Sequence, residues 1–193
     1  MIFRTNQGTD AHLVRRHRVS ELRDHSAVIV DGLVEKKPRT IRGGHVIFLL
    51  NDETGSVHCA AYEPTGKFRE IIRNLEPGDR VRACGGMRAA DKEIPRTLNL
   101  EKLEILKLTP CMSSHNPICA ECGKRMKSAG KGQGYRCEQC GSHAESKIQE
   151  QVDRNLVERL YVPPPRAHRH LTKPEVRYLR SQTGISSPPV AKW

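Results

Sequence analysis

This 193-residue sequence has few aromatic residues, which make up only 4% of the chain. Hydrophobic residues as a whole reach 36%, so no large single core is expected, and the length suits one mid-sized domain or two small ones. No apolar run approaches the roughly 20 residues that span a bilayer. Residues 1–6 also lack the apolar core of a signal peptide. We therefore expect a cytoplasmic protein with no membrane partner.

The sequence also lacks the motifs of common nucleotide-using enzymes. No phosphate-cradling loop of the Walker type is present, and the pairs Gly43-Gly44 and Gly85-Gly86 are too short to form one. Asp10 and His12 suggest acid–base chemistry, but no nucleophile or second carboxylate is placed to work with them. The sequence predicts that this chain alone is not an enzyme, and no residue is assigned a catalytic role.

Positive charge is in clear excess. Lys and Arg number 33 against 22 Asp and Glu, which gives a formal net charge of +11. Such an excess favours a polyanionic partner, usually nucleic acid, because each neutralised phosphate releases a counterion. The alternative is a basic surface kept for solubility, and the clustering of the cations argues against it.

The segment from about residue 26 to 109 is predicted to contain five strands and one helix. The predicted strands are Ala27–Val34, His45–Leu50, Ser56–Tyr62, one that begins with Arg80–Gly86, and Thr97–Leu108. Apolar residues at helical spacing predict a short helix over Phe68–Leu75. The inward positions of the last strand shift between Leu100 and Leu103, which predicts a β-bulge there.

This order of elements is that of an OB-fold, a five-stranded, partly open barrel that binds oligonucleotides. Other small barrels produce similar strands, but few of them place a single helix after the third strand. OB-folds also mediate contacts between proteins, so a protein–protein adaptor remains an alternative function.

Four of the seven cysteines form two CxxC pairs, Cys119 with Cys122 and Cys137 with Cys140. A glycine follows each pair, which permits the backbone to turn after the second ligand. Two such knuckles complete a closed, tetrahedral site for one structural Zn²⁺. A rubredoxin-like iron site and a redox dithiol pair are the alternatives. The odd cysteine count and the lack of an export signal argue against a disulfide framework.

The loop between the two cysteine pairs, residues 123–136, is basic and rich in glycine, and it contains no acidic residue. A flexible hairpin of this kind can follow a phosphate backbone and stack one aromatic ring on a base. A solvated loop tip is the alternative. The predicted RNA-binding residues here are Lys124, Arg125, Lys127, Lys131, Tyr135 and Arg136.

Both ends of the chain are also basic. Prolines and mutually repelling cations predict a C-terminal tail that has no packed core and orders on a partner, with a disordered linker as the alternative. Before the tail, apolar residues spaced four apart predict a helix over residues 147–160. The predicted RNA-binding residues at the two ends are Arg4, Asn6, Arg15, Arg16, Arg18, Arg166, Arg169 and Lys173.

The predicted fold class is therefore mainly β: a five-stranded OB-fold barrel with one short helix, followed by a small zinc ribbon and an extended basic tail. The predicted boundaries are 1–25 for a polar, basic extension and 26–109 for the OB-fold. The zinc ribbon follows at 110–145, and the short helix with the Pro/Arg-rich tail at 146–193.

Two motifs surround these domains. Residues 4–12 read Arg-Thr-Asn-Gln-Gly-Thr-Asp-Ala-His, and the tail contains three prolines at 163–165 and His-Leu-Thr-Lys-Pro at 170–174. With the OB-fold and ribbon between them, they resemble the C-terminal half of archaeal agmatidine synthetase (TiaS) over essentially the whole chain. That family modifies the wobble cytidine of an isoleucine tRNA with ATP and agmatine. The resemblance implies an archaeal, tRNA-binding protein.

The resemblance also implies a missing part. In the family an ATP-using, kinase-like domain precedes the motif at residues 4–12, whereas here Met1 stands only a few residues before it. The chain is then expected to be one subunit of a split enzyme, with a kinase-like catalytic subunit as its partner, or a free-standing RNA-binding relative. tRNA is the favoured ligand. The basic extensions at both ends leave ribosomal RNA, and a ribosome-associated factor, as the alternative.

Overall fold

The computed structural model describes residues 5–182. The chain divides into two compact units, one made of residues 5–109 with 155–182 and the other of residues 110–154. The larger unit contains a barrel, and the smaller one is a set of short strands. No helix within the described residues is long and apolar enough to cross a bilayer.

Five strands of the larger unit close into a barrel. They are β1 (Ala27–Thr40), β2 (Val46–Asp52), β3 (Gly55–Ala61), β4 (Arg80–Arg88) and β5 (Thr97–Lys107). β1 lies between β2 and β4 and is antiparallel to both. β3 pairs with β2 and, in parallel, with β5, and β5 completes the circle by pairing with β4. This topology confirms the predicted OB-fold.

Apolar side chains that alternate along the strands fill the barrel. In β1, Val28, Val30 and Val34 are buried, while the residues between them are more accessible. This is the pattern of a strand with one face on the core. β1 continues to Thr40, beyond the predicted end at Val34, because its last residues pair with the start of β2.

One short helix, α1 (Lys67–Arg73), follows β3, close to the predicted Phe68–Leu75. Phe68 and Ile72 of the helix, and Leu75 just after it, are buried in the barrel core. The helix therefore forms where its sequence places apolar residues one turn apart, and it covers the core with that face.

β5 carries the predicted β-bulge. Opposite β4, Cys84 pairs with Lys102 whereas the next residue, Gly85, pairs with Leu100, so Glu101 is the extra residue. Glu101 and Lys102 are only 5% and 3% exposed. Leu100 and Leu103 on either side lie in the barrel core, so the bulge places two successive charged residues on the outer face of β5, where other segments bury them.

The smaller unit is built from two small sheets. One pairs β6 (Cys111–His115) with β10 (Ile148–Val152), and the other contains β7 (Lys127–Ser128), β8 (Tyr135–Arg136) and β9 (His143–Ala144). All of these pairings are antiparallel. The three-stranded sheet and its loops form the predicted ribbon.

The helix predicted over residues 147–160 is wrong. Ile148–Val152 form β10, and Leu160–Tyr161 form a further strand, β11, which pairs with β5 of the barrel. The apolar residues at both ends of β10 are partly exposed, whereas Leu156 is buried in the barrel core. The apolar residues spaced four apart therefore belong to two different units. Ile148 and Val152 are β-branched, and they form a strand because β6 pairs with them.

The predicted extended tail contains little regular structure between β11 and α2 (Glu175–Gln182). It nevertheless lies against the barrel: Thr172 is only 3% exposed, and its hydroxyl donates to Glu101 Oε2 of β5 over 3.4 Å. The start of the described chain is joined to it by two backbone hydrogen bonds. The N–H groups of Gly8 and Asp10 donate to the carbonyl groups of His170 and Leu171 over 3.0 and 2.8 Å.

Candidate metal centre and nucleic-acid interface

The four cysteines of the two CxxC pairs come together in the smaller unit. Their sulfur atoms all lie within 4.8 Å of one another. Cys119 Sγ is 3.2 Å from Cys140 Sγ, and Cys122 Sγ is 3.3 Å from Cys137 Sγ. Four sulfurs at one point make up the complete ligand set of a structural zinc.

Each pair lies on a tight backbone turn. The N–H of Gly123 donates to the carbonyl of Cys119 over 2.9 Å, and the N–H of Gly141 donates to that of Cys137 over 3.0 Å. The two glycines have φ angles of 69° and 80°. A Cβ would meet nothing within 4 Å at either position. Glycine is therefore favoured by the left-handed backbone conformation and not by a lack of space.

Backbone N–H groups also favour the thiolate form of one cysteine in each pair, and the thiolate is the form that binds a metal. A hydrogen bond from the Cys122 N–H, with help from Cys140, lowers the pKa of the Cys119 thiol to about 6. The N–H of Cys140 likewise lowers the pKa of Cys137. The four residues form the site of one structural zinc, and no coordination position is left for water or a substrate.

The basic hairpin, residues 123–136, projects its cations into solvent. Lys127 Nζ lies 2.8 Å from the carboxylate of Glu138, with both side chains more than two-thirds exposed. Tyr135 is half-buried against the small ribbon core, which limits the part of its ring that could stack on a base. The exposed predicted RNA-binding residues here are Lys124, Arg125, Lys127, Lys131 and Arg136.

The predicted N-terminal contacts belong to the barrel unit. Asn6, Arg15, Arg16 and Arg18 are exposed, and Arg4 lies outside the described residues. Arg16 Nη1 lies 3.8 Å from the Asp31 carboxylate. Arg18 lines an open cavity of about 590 Å³ whose lining includes three acidic residues.

The three predicted cations of the tail differ in their surroundings. Arg166 donates from Nε to the carbonyl of Pro64 over 3.4 Å. Lys173 is half-buried, with Nζ 4.3 Å from the ring centroid of Tyr178. Arg169 is exposed, and its Nη1 lies 3.2 Å from Glu101 Oε1.

The sequence did not predict a buried cluster of charged residues at the bulge. Lys102 Nζ donates to the carboxylate of Asp10 and, over 2.9 Å, to the hydroxyl of Tyr178, which itself donates to Asp10. His12 Nε2 lies 2.7 Å from Glu101 Oε2. The shift between Leu100 and Leu103 places both charges on the outer face of β5, but no local signal in the sequence shows that other segments cover them.

The cluster shifts the ionisation of its members. Burial raises the pKa of Asp10, but hydrogen bonds from Lys102, Tyr178 and the N–H of Lys173 outweigh burial, so this pKa lies below its ordinary value. Burial and the Asp10 carboxylate raise the pKa of Tyr178 far above its usual range. Asp10 and His12 thus join the N-terminal segment to the bulge, and Asp10 also joins it to the tail.

Two family descriptions match the chain. Residues 28–106 match an OB-fold nucleic acid binding domain, and residues 116–156 match the TiaS C-terminal zinc ribbon domain. The tRNA(Ile2) 2-agmatinylcytidine synthetase TiaS of Methanosarcina mazei is 48% identical over 177 residues, which are 91% of this chain and 40% of that protein. The TiaS of Archaeoglobus fulgidus is 45% identical, over 92% of this chain and 41% of that protein.

Solved structures of TiaS are also similar to this chain. The crystal structure of the TiaS-tRNA(Ile2)-ATP complex matches 89% of this chain and 39% of that one, with a TM-score of 0.74 and 42% identity. Apo TiaS matches with a TM-score of 0.73 and 43% identity, over 89% and 40% of the two chains. This chain thus spans about two-fifths of the length of these relatives. It belongs to the TiaS family, of which it represents the C-terminal portion, an OB-fold followed by a zinc ribbon.

Proposed function

We propose that this chain is the tRNA-binding portion of an agmatidine synthetase. The observation that carries the proposal is the likeness of its OB-fold and ribbon to TiaS solved as a complex with tRNA(Ile2) and ATP. The charge of the chain supports it, because a net +11 suits a ligand that carries one phosphate per nucleotide.

The exposed cations of the two units supply the contacts in this proposal. The basic hairpin presents five of them, and the N-terminal segment adds Arg15, Arg16 and Arg18. Contacts to phosphates fix the register and orientation of a nucleic acid without reading its bases. Recognition of one tRNA then depends on its folded shape, and the zinc site contributes by holding the hairpin on a rigid sheet.

The chemical reaction is assigned to a separate, kinase-like catalytic part. This chain covers 40% of the Methanosarcina mazei relative, so most of that enzyme lies outside the matched region. The metal of the ribbon has a full set of thiolate ligands and serves the fold. In this proposal the chain binds tRNA, and modification requires the catalytic part in the same or a second polypeptide.

Binding can be tested with labelled tRNA(Ile2) transcript by fluorescence anisotropy, at salt concentrations between about 50 and 200 mM. We expect saturable binding whose affinity falls steeply with salt, because phosphate contacts release counterions. A flat salt response, or equal binding to an unrelated acidic polymer such as heparin, would contradict specific tRNA binding. Tighter binding to purified ribosomes than to tRNA would favour a ribosomal role instead.

The catalytic assignment can be tested by reconstitution. The N-terminal part of the Methanosarcina mazei relative would be mixed with this chain, tRNA(Ile2), ATP and agmatine, and the digested tRNA analysed by nucleoside mass spectrometry. We expect the modified cytidine only when both parts are present. Modification by this chain alone, or equal modification without it, would show that the proposed division of roles is wrong.

A further inference from the structure

Glu101 of β5 is a buried carboxylate that contacts three residues from two other segments, the N-terminal segment and the tail. Its Oε2 lies 2.7 Å from Nε2 of His12 and accepts a hydrogen bond from the hydroxyl of Thr172 over 3.4 Å. Its Oε1 is buried and accepts no hydrogen bond from the residues that the structure describes, but Nη1 of Arg169 lies 3.2 Å from it, within ion-pair distance. A buried charge is costly unless it is paired, so this carboxylate favours a position of the Arg169 guanidinium beside it on the barrel.

The surroundings of Arg169 fit that fixed position. A Cβ built on Gly86 of β4 would lie 2.8 Å from Nη1 of Arg169, so the guanidinium occupies the space that a side chain would take. The Arg169 N–H donates to the hydroxyl of Thr172 over 3.2 Å, and the Thr172 N–H donates back to the Arg169 carbonyl over 3.0 Å. The side chain nevertheless remains 57% exposed, which leaves guanidinium N–H groups accessible to a ligand.

Arg169 stands between two open clefts and lines both of them. One, of about 400 Å³, is also lined by His168, His170 and Arg177, and the other, of about 380 Å³, by His25 and Arg88. Among the described residues that line either cleft, none is acidic. Arginine and histidine side chains thus line both sides of Arg169, an arrangement that suits a strand of phosphates.

We propose that Arg169 binds a backbone phosphate of the RNA, which passes from one cleft to the other, and that Glu101 is the positioning residue that aims its guanidinium. This inference rests on the proposed function as an RNA-binding protein and adds to it a defined site. A fixed guanidinium presents paired N–H donors to a phosphate without losing rotamer freedom on binding.

The first test compares Arg169→Gln with Arg73→Gln in the full chain, by anisotropy with labelled tRNA(Ile2). Arg73 is an exposed residue of α1 that lines neither cleft. We expect Arg169→Gln to weaken binding about tenfold and to reduce the slope of log affinity against log salt by about one. Arg73→Gln removes the same charge and is expected to leave both quantities nearly unchanged.

Glu101→Gln tests positioning by the sign of its effect. The substitution removes a negative charge, so electrostatics alone would make the protein bind RNA more tightly. If Glu101 positions Arg169, binding weakens instead, and Glu101→Gln combined with Arg169→Gln is no weaker than Arg169→Gln alone. Thermal unfolding of each variant confirms that binding is measured on folded protein.

Gly86→Ala provides a variant that changes no charge and does not remove the buried carboxylate. The added methyl group displaces the guanidinium, so we expect weaker binding, and no added effect when Arg169 is already Gln. Absence of RNA binding by the unsubstituted chain would overturn the proposed function itself. If the unsubstituted chain binds RNA, but Arg169→Gln and Gly86→Ala bind it as well as Arg73→Gln does, only this site is overturned. Tighter binding by Glu101→Gln would overturn the role of Glu101.

Discussion

At the scale of single residues, Lys102 is unusual because its ammonium group is buried on the outer face of the barrel, beneath the N-terminal segment and the tail. Its side chain is 3% exposed, and its charge is balanced by the carboxylate of Asp10, which is 16% exposed. Asp10 has a left-handed backbone conformation, with φ of 61°, that an aspartate adopts more readily than most residues. The pair therefore depends on both the fold of the N-terminal segment and the bulge in β5.

Lys102→Met should destabilise the barrel unit by about 3–5 kcal/mol, because it leaves the Asp10 carboxylate without its buried partner. Lys107→Met, at the exposed end of the same strand, is the matched control and should have little effect. Urea unfolding followed by circular dichroism measures both. Equal stability of the two variants would contradict a buried ion pair.

Asp10 also predicts how stability depends on pH. Its pKa is lowered in the folded protein, so its contribution is fully present above its ordinary value of 3.8 and is lost as pH falls through the lower, folded value. Asp10→Asn should therefore destabilise the protein at neutral pH, and the difference from the unsubstituted protein should shrink below about pH 4.

Urea midpoints measured from neutral to acidic pH test this expectation. Asp24→Asn is the control, because that carboxylate is 45% exposed and pairs with Arg96 at the surface. A difference that stays constant at acidic pH for Asp10→Asn would contradict the assigned ionisation.

At the scale of elements, two successive glycines of β4 face very different neighbours. A Cβ on Gly85 would lie 2.0 Å from the backbone oxygen of Asn99, on the strand opposite, whereas one on Gly86 would meet only the end of the Arg169 side chain. Gly85→Ala should cost about 1–3 kcal/mol or more through overpacking against backbone. Gly86→Ala should cost less, since a flexible side chain can move aside, and urea unfolding of the pair would show the ranking.

The ribbon is the second element whose stability can be tested. Cys122→Ser removes one of four thiolates, and because the binding energy of structural zinc is largely folding energy, the smaller unit should unfold. Elemental analysis should find about one zinc per chain before the change and almost none after it. Cys111→Ser, outside the ligand set, should retain the metal. Iron in the unsubstituted protein, or a folded ribbon without metal, would contradict the zinc site.

At the scale of the whole molecule, the tail belongs to the barrel unit and the ribbon is an insertion before it. Truncation after Arg154 would remove buried Leu156, Tyr161 and Thr172 and would uncover Glu101 and Lys102. We expect this truncation to abolish cooperative unfolding of the barrel. Replacement of residues 112–152 by a flexible linker should preserve that transition. If thermal unfolding showed a cooperative barrel transition in the truncated chain but none in the linker variant, the division into units would be contradicted.

The local pattern was sufficient for much of the barrel. A β-branched run predicted β1, the apolar run up to Leu50 predicted β2, and small apolar residues on one face predicted β3. The one-turn spacing of Phe68 and Ile72 predicted α1, and the shift after Leu100 predicted the bulge. The zinc ligands followed from the CxxC spacing, because two ligands in each pair are brought together by the adjacent backbone itself. These features depend on interactions between residues close in sequence.

The sequence by itself thus determined the barrel strands, their helix, the metal ligands and the excess of positive charge. Only the tertiary structure decided that residues 148–152 form a strand, that the tail lies on the barrel, and that Glu101 contacts both ends of the chain. The physical reason is distance along the chain: His12 and Glu101 are 89 positions apart. Contacts between residues so far apart depend on the folded barrel, and no local periodicity predicts them.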